Sequence, residues 1–239
     1  MNAIELVDNG RGRFETHLER IASLVRGEKP ATLSEIEEAV IEATESAERH
    51  MEAMALFRAC KTHSLYDLYP REHILAIAEF IKERFPEARI LEVCAGDGRL
   101  TRFLEWAGIE MLPPTDVKDE WKCECDINGR HYGKNVERRE AVVAAIEAKP
   151  DLVVCSWPPY DSDVVERLLA VKFPVLYIGE GEYGCCGGEE QWNYVHEDIG
   201  CTPYQICRTD VYYGEGFYFP WARYHSRTFL FTPKRREAE

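Results

Sequence analysis

The stretch RILEVCAGDGRLTRFL, from Arg89 to Leu104, decides how the chain reads. Ile90, Leu91, Val93 and Cys94 form a short apolar run, the pattern of a parallel strand covered on both faces. Gly96 and Gly98 bracket Asp97, and a backbone without Cβ atoms lets a ligand lie close against the loop. From Arg99 the pattern becomes helical, with Leu100, Phe103 and Leu104 one turn apart. Strand, glycine turn and helix start together aim the first backbone N–H groups of the helix at whatever sits over the glycines.

Working outward, an amphipathic helix is expected over Arg71–Phe85, stopped by Pro86. After the glycine helix, Gly108–Leu112 reads as a second strand, running into Pro113-Pro114-Thr115-Asp116. The polar segment Val117–Gly133 leaves room for only a very short third strand. Val136–Lys149 reads as helix, Leu152–Cys155 as a buried strand, Asp163–Val171 as helix and Pro174–Gly179 as a fifth strand. Glu189–Asp198 is expected as helix, with closing strands at Tyr204–Tyr213 and Thr228–Thr232. Between these last two lies an aromatic loop, Gly214–Ser226.

Alternating strands and helices imply an α/β fold: a doubly wound, mostly parallel, seven-stranded sheet with an antiparallel last strand. Residues 1–66 form a separate helical appendage, and 67–239 the α/β domain. In the appendage, helix is expected over Phe14–Arg26 and again after the capping box Thr32-Leu33-Ser34-Glu35, running to about Lys61. Its apolar positions, among them Ile36, Val40 and Met51, recur every three or four residues. Such a face packs on the core, closes over a site as a lid, or pairs two copies as a homodimer element.

The chain has 239 residues, 45% hydrophobic and 30% charged, as a soluble globular protein does. It shows neither a membrane span nor a signal peptide, so a cytoplasmic location is expected. Lys and Arg number 29 against 43 Asp and Glu, a net charge of −14 that argues against a nucleic-acid partner. The nine cysteines include the close pairs Cys123/Cys125 and Cys185/Cys186 but no C-x-x-C, so no metal site is expected.

The acid of a ribose-binding strand stands near the end of the second strand of nucleotide-binding α/β units, and Asp116, 18 residues beyond Gly98, has that position. A dinucleotide fingerprint would place a third glycine three residues after Gly98, where this chain has Thr101. Glu92-x-x-x-Gly96-x-Gly98, Asp116, the turn Ser156-Trp157-Pro158-Pro159-Tyr160 and the closing strands together resemble the class I S-adenosylmethionine-dependent methyltransferases, over about Leu68–Pro233. The resemblance implies S-adenosyl-L-methionine as cofactor, held by Glu92, Ala95, Gly96, Asp97, Gly98, Asp116, Asp126, Ser156 and Trp157. Cys94 departs from the family, which carries its first glycine there; a non-glycine fits if φ stays negative.

The Pro-Pro-aromatic turn is also similar to that of the amino-methyltransferases of DNA, RNA and some proteins. Those carry Asp, Asn or Ser immediately before the prolines. Here that residue is Trp157, whose indole donates a hydrogen bond and accepts none, and Ser156 is one place too early. Sites in doubly wound sheets open at the carboxyl ends of the strands. This makes Tyr160, Asp161 and Glu180 the candidate catalytic residues, with Asp161 also readable as a helix N-cap. The expected activity is in-line methyl transfer to a small-molecule or peptide acceptor. The alternatives are an amino-group methyltransferase of nucleic acid or protein, transfer of another group from the same cofactor, and a non-catalytic cofactor-binding module.

Overall fold

A computed structural model describes residues 19–20, 23–24, 27–36, 38–39, 69–117, 135–159, 161–182, 186–201 and 227–235. Helix α1 (Arg71–Arg84) buries Ile74, Ile77, Ala78 and Ile81 along one stripe and ends at Phe85, before Pro86. Strand β1 (Ile90–Val93) is buried throughout and leads through the glycine turn into α2 (Arg99–Trp106). Then come β2 (Thr115–Asp116), β3 (Glu137–Arg138), α3 (Ala141–Ala148), β4 (Leu152–Ser156), α4 (Val164–Ala170), β5 (Val175–Gly179), a 3₁₀ turn (Glu190–Asn193), β6 (Tyr194–Cys201) and β7 (Arg227–Arg235).

The seven strands form one sheet in the order β3-β2-β1-β4-β5-β7-β6. β1 to β5 pair in parallel, and β7 runs antiparallel to both of its neighbours, β5 and β6. This is the expected doubly wound α/β sheet with a reversed last strand. Alternation along each strand sends side chains to opposite faces. Leu91, Val93, Val153, Val175 and Tyr177 pack with α3 and α4 on one face, while Ile90, Leu152, Val154, Leu176 and Ile178 pack with α1 and α2 on the other.

Three sequence expectations are corrected. The second strand is not Gly108–Leu112: only Met111 there bridges Ile90, and the ladder forms at Thr115–Asp116. Pro113 and Pro114 have no N–H to donate, so continuous pairing resumes only beyond them. The helix expected from Val136 begins at Ala141, because Glu137–Arg138 is drawn into the sheet as β3 and Glu140 caps the helix, accepting from the Val143 N–H at 2.9 Å. Glu189–Asp198 is a 3₁₀ turn and the start of β6. Pairing with β7 and an aromatic cluster override its helical pattern: Trp192 lies 5.0 Å from Phe229 and 5.2 Å from Phe231, ring centre to ring centre.

The capping box forms: the Glu35 N–H donates to Thr32 Oγ1 at 3.2 Å and the Thr32 N–H to Glu35 Oε2 at 2.7 Å. The Arg71 N–H donates to the Ala31 carbonyl at 2.8 Å, and the Leu33 N–H to Glu72 Oε2 at 2.9 Å. The segment around residues 31–33 is therefore fastened to the head of α1. The expected strand at Tyr204–Tyr213 and the aromatic loop lie outside the described residues, as does most of the expected long helix.

Candidate functional site

Parallel pairing brings the carboxyl ends of β1, β4 and β5 side by side, with Val93 opposite Cys155 and Ser156 opposite Ile178. The glycine turn leaves the sheet at once. Cys94 has φ +55°, Gly96 +54° and Gly98 +70°. The expectation of a negative φ at Cys94 is thus overturned: this cysteine holds the left-handed conformation in which a glycine carries no Cβ penalty. Turn bonds from the Ala95 N–H to the Thr115 carbonyl (3.1 Å) and from the Gly98 N–H to the Ala95 carbonyl (2.8 Å) hold the loop in place.

The two glycines differ in their surroundings. A Cβ on Gly98 would stand 2.9 Å from Val136 Cγ2, so close packing requires that glycine. A Cβ on Gly96 would meet nothing within 4 Å, so the space in front of Gly96 is open. Asp116 braces this open side, its Oδ2 accepting the Gly96 N–H at 2.7 Å. Asp97 turns back on its own helix, with Oδ1 accepting the Arg99 N–H at 3.1 Å.

Glu92 is 2% exposed. Its Oε2 accepts from both the Thr101 N–H (2.9 Å) and the Thr101 hydroxyl (2.5 Å). Burial is the main cause that pushes the Glu92 carboxyl up to about 8; the Thr101 bonds oppose it, and the nearby Asp97 and Asp116 charges add to it. The residue in place of a third glycine thus ties the strand's buried acid to α2.

Ser156 closes β4 and is 6% exposed; its Oγ lies 2.5 Å from the Tyr69 hydroxyl. It remains in the sheet, and no bulge moves it to the place before Pro158. Trp157 takes φ +48° and donates its N–H to the Ile178 carbonyl at 2.7 Å. The carbonyls of Pro158 and Pro159 both accept from the Gly187 N–H, at 3.3 and 3.1 Å, so the loop after β5 packs on the Pro-Pro turn.

Asp161 is exposed, with φ +57°, and its N–H donates to the Gly187 carbonyl at 3.1 Å. It does not cap α4, whose N-cap is Asp163. Glu180 is buried at the exit of β5; its N–H donates to Cys186 Sγ at 3.0 Å and its carbonyl accepts from the Tyr177 hydroxyl at 2.9 Å. Burial pushes the Cys186 thiol up to about 12, the state of a packed thiol and not of a nucleophile. The neighbouring Cys94 thiol, and then burial, raise Cys155 well above its ordinary range.

The structure therefore brings Glu92, Ala95, Gly96, Asp97, Gly98, Asp116, Ser156, Trp157, Asp161 and Glu180 to one edge of the sheet. Asp126 and Tyr160 lie outside the described residues. Two residues missed in the sequence belong to this edge, Thr101 and Tyr69. Thr101 carried a signal, since it occupies the fingerprint's third glycine position; Tyr69 carried none. Open clefts of about 520 Å³ (beside Lys172 and Arg235) and 330 Å³ (beside Pro86 and Gly108) lie at the opposite, amino-end edge of the parallel strands. Neither gathers the turns that follow the strands, where sites of doubly wound sheets open. Among the described residues, no group of three or more His, Cys, Asp or Glu side chains is arranged to hold a metal ion, and no helix is long and apolar enough to cross a membrane.

No protein-family model and no curated protein matches the chain. Among solved structures it is similar to the plantazolicin methyltransferase BpumL in complex with a monoazolic desmethylPZN analog and SAH, with a TM-score of 0.39 and 13% identity, over 77% of this chain and 94% of that one. It is similar also to BpumL in complex with SAH, with a TM-score of 0.38 and 9% identity, over 95% of this chain and 99% of that one. The geometry of the site, and not this distant likeness, supports the reading below.

Proposed function

We propose that this chain is an S-adenosylmethionine-dependent methyltransferase acting on a small-molecule or peptide acceptor. The observation that carries the reading is the open, braced glycine turn: free space in front of Gly96, with the Asp116 carboxylate fixed beside it by the Gly96 N–H. The residues present fit the cofactor. A carboxylate has acceptor sites to spare after one hydrogen bond, so Asp116 can take a ribose diol while still bracing the loop. Asp97 and Asp116 make the edge acidic, in keeping with a cationic ligand.

When bound, the cofactor supplies a methyl group made electrophilic by a sulfonium. What the chain must add is alignment and a route for the acceptor's proton. In this reading Gly96, Gly98, Ala95 and Asp97 shape the backbone seat, Asp116 holds the ribose, and Ser156 and Trp157 form the facing wall. Asp126 takes the adenine side. Asp161 at the exit of β4 and Glu180 at the exit of β5 are the carboxylates we assign to the acceptor's proton, and Tyr160 is the third candidate catalytic residue. The helical appendage, residues 1–66, is assigned to packing on the core or on a second copy, with a lid over this edge as the alternative.

The amino-methyltransferase alternative has less support, because the Ser156 hydroxyl is committed to Tyr69. Titration calorimetry with S-adenosylhomocysteine tests the proposal, with Gly96→Arg as the variant that fills the open space. We expect binding by the unaltered chain and none by the variant. Absence of binding by the unaltered chain, or equal binding by both, refutes the reading.

A further inference from the structure

Tyr69 lies outside the strands, immediately before α1, yet it is 6% exposed and reaches the carboxyl edge of the sheet. Its hydroxyl is 2.5 Å from Ser156 Oγ, the last residue of β4. The Arg99 guanidinium lies 5.7 Å from the centre of its ring, and Arg99 is the first residue of α2, directly after Gly98. One side chain therefore touches both lips of the candidate cofactor cleft: the helix that starts at the glycine turn, and the strand end that leads into Trp157-Pro158-Pro159.

The backbone is adapted to this reach. Tyr69 has φ +43°, a left-handed conformation that disfavours a side chain with a Cβ. Such a conformation persists only where the surroundings over-determine it. Here they do: Pro70 follows, and the Arg71 N–H and Nε are fastened to the carbonyls of Ala31 (2.8 Å) and Pro30 (3.2 Å). The residues that lead into α1 thus present one phenol to the site at a fixed place.

We infer that Tyr69 is a positioning residue of the cofactor site, a clamp that sets the spacing between the glycine turn and the β4 exit through Arg99 and Ser156. The inference rests on the methyltransferase reading above. It goes further in giving a residue ahead of α1, outside the strand ends, a part in the site beyond packing. The hydroxyl fixes the end of β4, and through it the wall formed by Trp157; the ring face fixes the first residue of α2. Neither contact involves a reacting atom.

The test compares the full chain with Tyr69→Phe, Ser156→Ala and the double variant, using S-adenosylhomocysteine as probe. Calorimetry reads binding, thermal melting reads stability, and amide hydrogen exchange reads local opening. Tyr69→Phe keeps the ring over Arg99 and removes the hydroxyl alone. The expected result is about five-fold weaker binding, the scale of one net hydrogen bond. The double variant should bind no more weakly than Ser156→Ala alone, because the Tyr69–Ser156 bond is already absent there. Exchange should quicken at Trp157, with residues 98–101 and β5 to β7 unchanged. Binding within two-fold of the unaltered chain together with unchanged exchange overturns the inference. So does a lowered melting temperature with unaltered binding, which marks a structural strut only. If the unaltered chain fails to bind the probe, the cofactor reading falls first and this one with it, a pattern distinct from selective loss in the Tyr69 variant.

Discussion

Replacing Glu92 with Gln isolates the most strongly perturbed acid of the candidate site. The Glu92 carboxyl, buried at 2% exposure, is pushed from an ordinary value of 4.5 up to about 8. The folded chain then holds a proton that the unfolded chain has released over the whole interval between those values. Unfolding is therefore favoured as pH rises: the stability present below pH 4.5 is lost progressively toward pH 8, at about 1.4 kcal/mol per pH unit. Between pH 5 and pH 8 that is on the order of 4 kcal/mol. Glutamine keeps an oxygen for the Thr101 N–H and hydroxyl and has no proton to lose. Urea unfolding of both proteins at pH 5 and pH 8 should show the variant gaining about 4 kcal/mol relative to the unaltered chain across the interval. Titrating groups that do not interact with Glu92 contribute equally to both proteins and cancel. Parallel pH profiles would refute the reasoning, since they would mean that Glu92 ionises at its ordinary pH and that its burial carries no cost.

Two other substitutions test the glycine turn. Gly98→Ala puts a Cβ at φ +70° and 2.9 Å from Val136 Cγ2, and should cost about 2 kcal/mol in urea unfolding; an unchanged midpoint would show that the turn relaxes freely. At Cys94, with φ +55°, glycine should be more stable than alanine by about 1 kcal/mol, the reverse of the usual order in a strand end, and equal stabilities would remove the claim of strain there.

The parts of the fold that could be read from sequence are those whose pattern is local. Ile90–Val93, Val175–Gly179 and α1 announce themselves by apolar runs and a buried stripe, and Gly96 and Gly98 mark the turn between β1 and α2. β3 had no such mark: Glu137 and Arg138 are both exposed, and only backbone bonds to β2 make them a strand. β6 lies at the other edge and mixes charged and apolar residues, so its state is decided by β7 and by the rings of Phe229 and Phe231. Glu92 and Asp116 were placed by spacing from the glycines, and Asp161 and Glu180 by following the carboxyl ends of strands. Their partners were not, because Thr101 and Tyr69 matter through distances between segments: Ser156 lies 87 residues from Tyr69 along the chain. Nor does the identity of Cys94 reveal its left-handed φ, which the turn imposes on it.

The position of β7 between β5 and β6 has a consequence for synthesis. A ribosome delivers β6 before β7, so β6 emerges with no strand to pair with, and β5 keeps an open edge until β7 arrives. During that interval the edge of β5 is a template for any extended chain nearby. Nascent chains stalled between Cys201 and Arg227 should therefore be the aggregation-prone species, and completion of β7 is the step that closes both gaps at once.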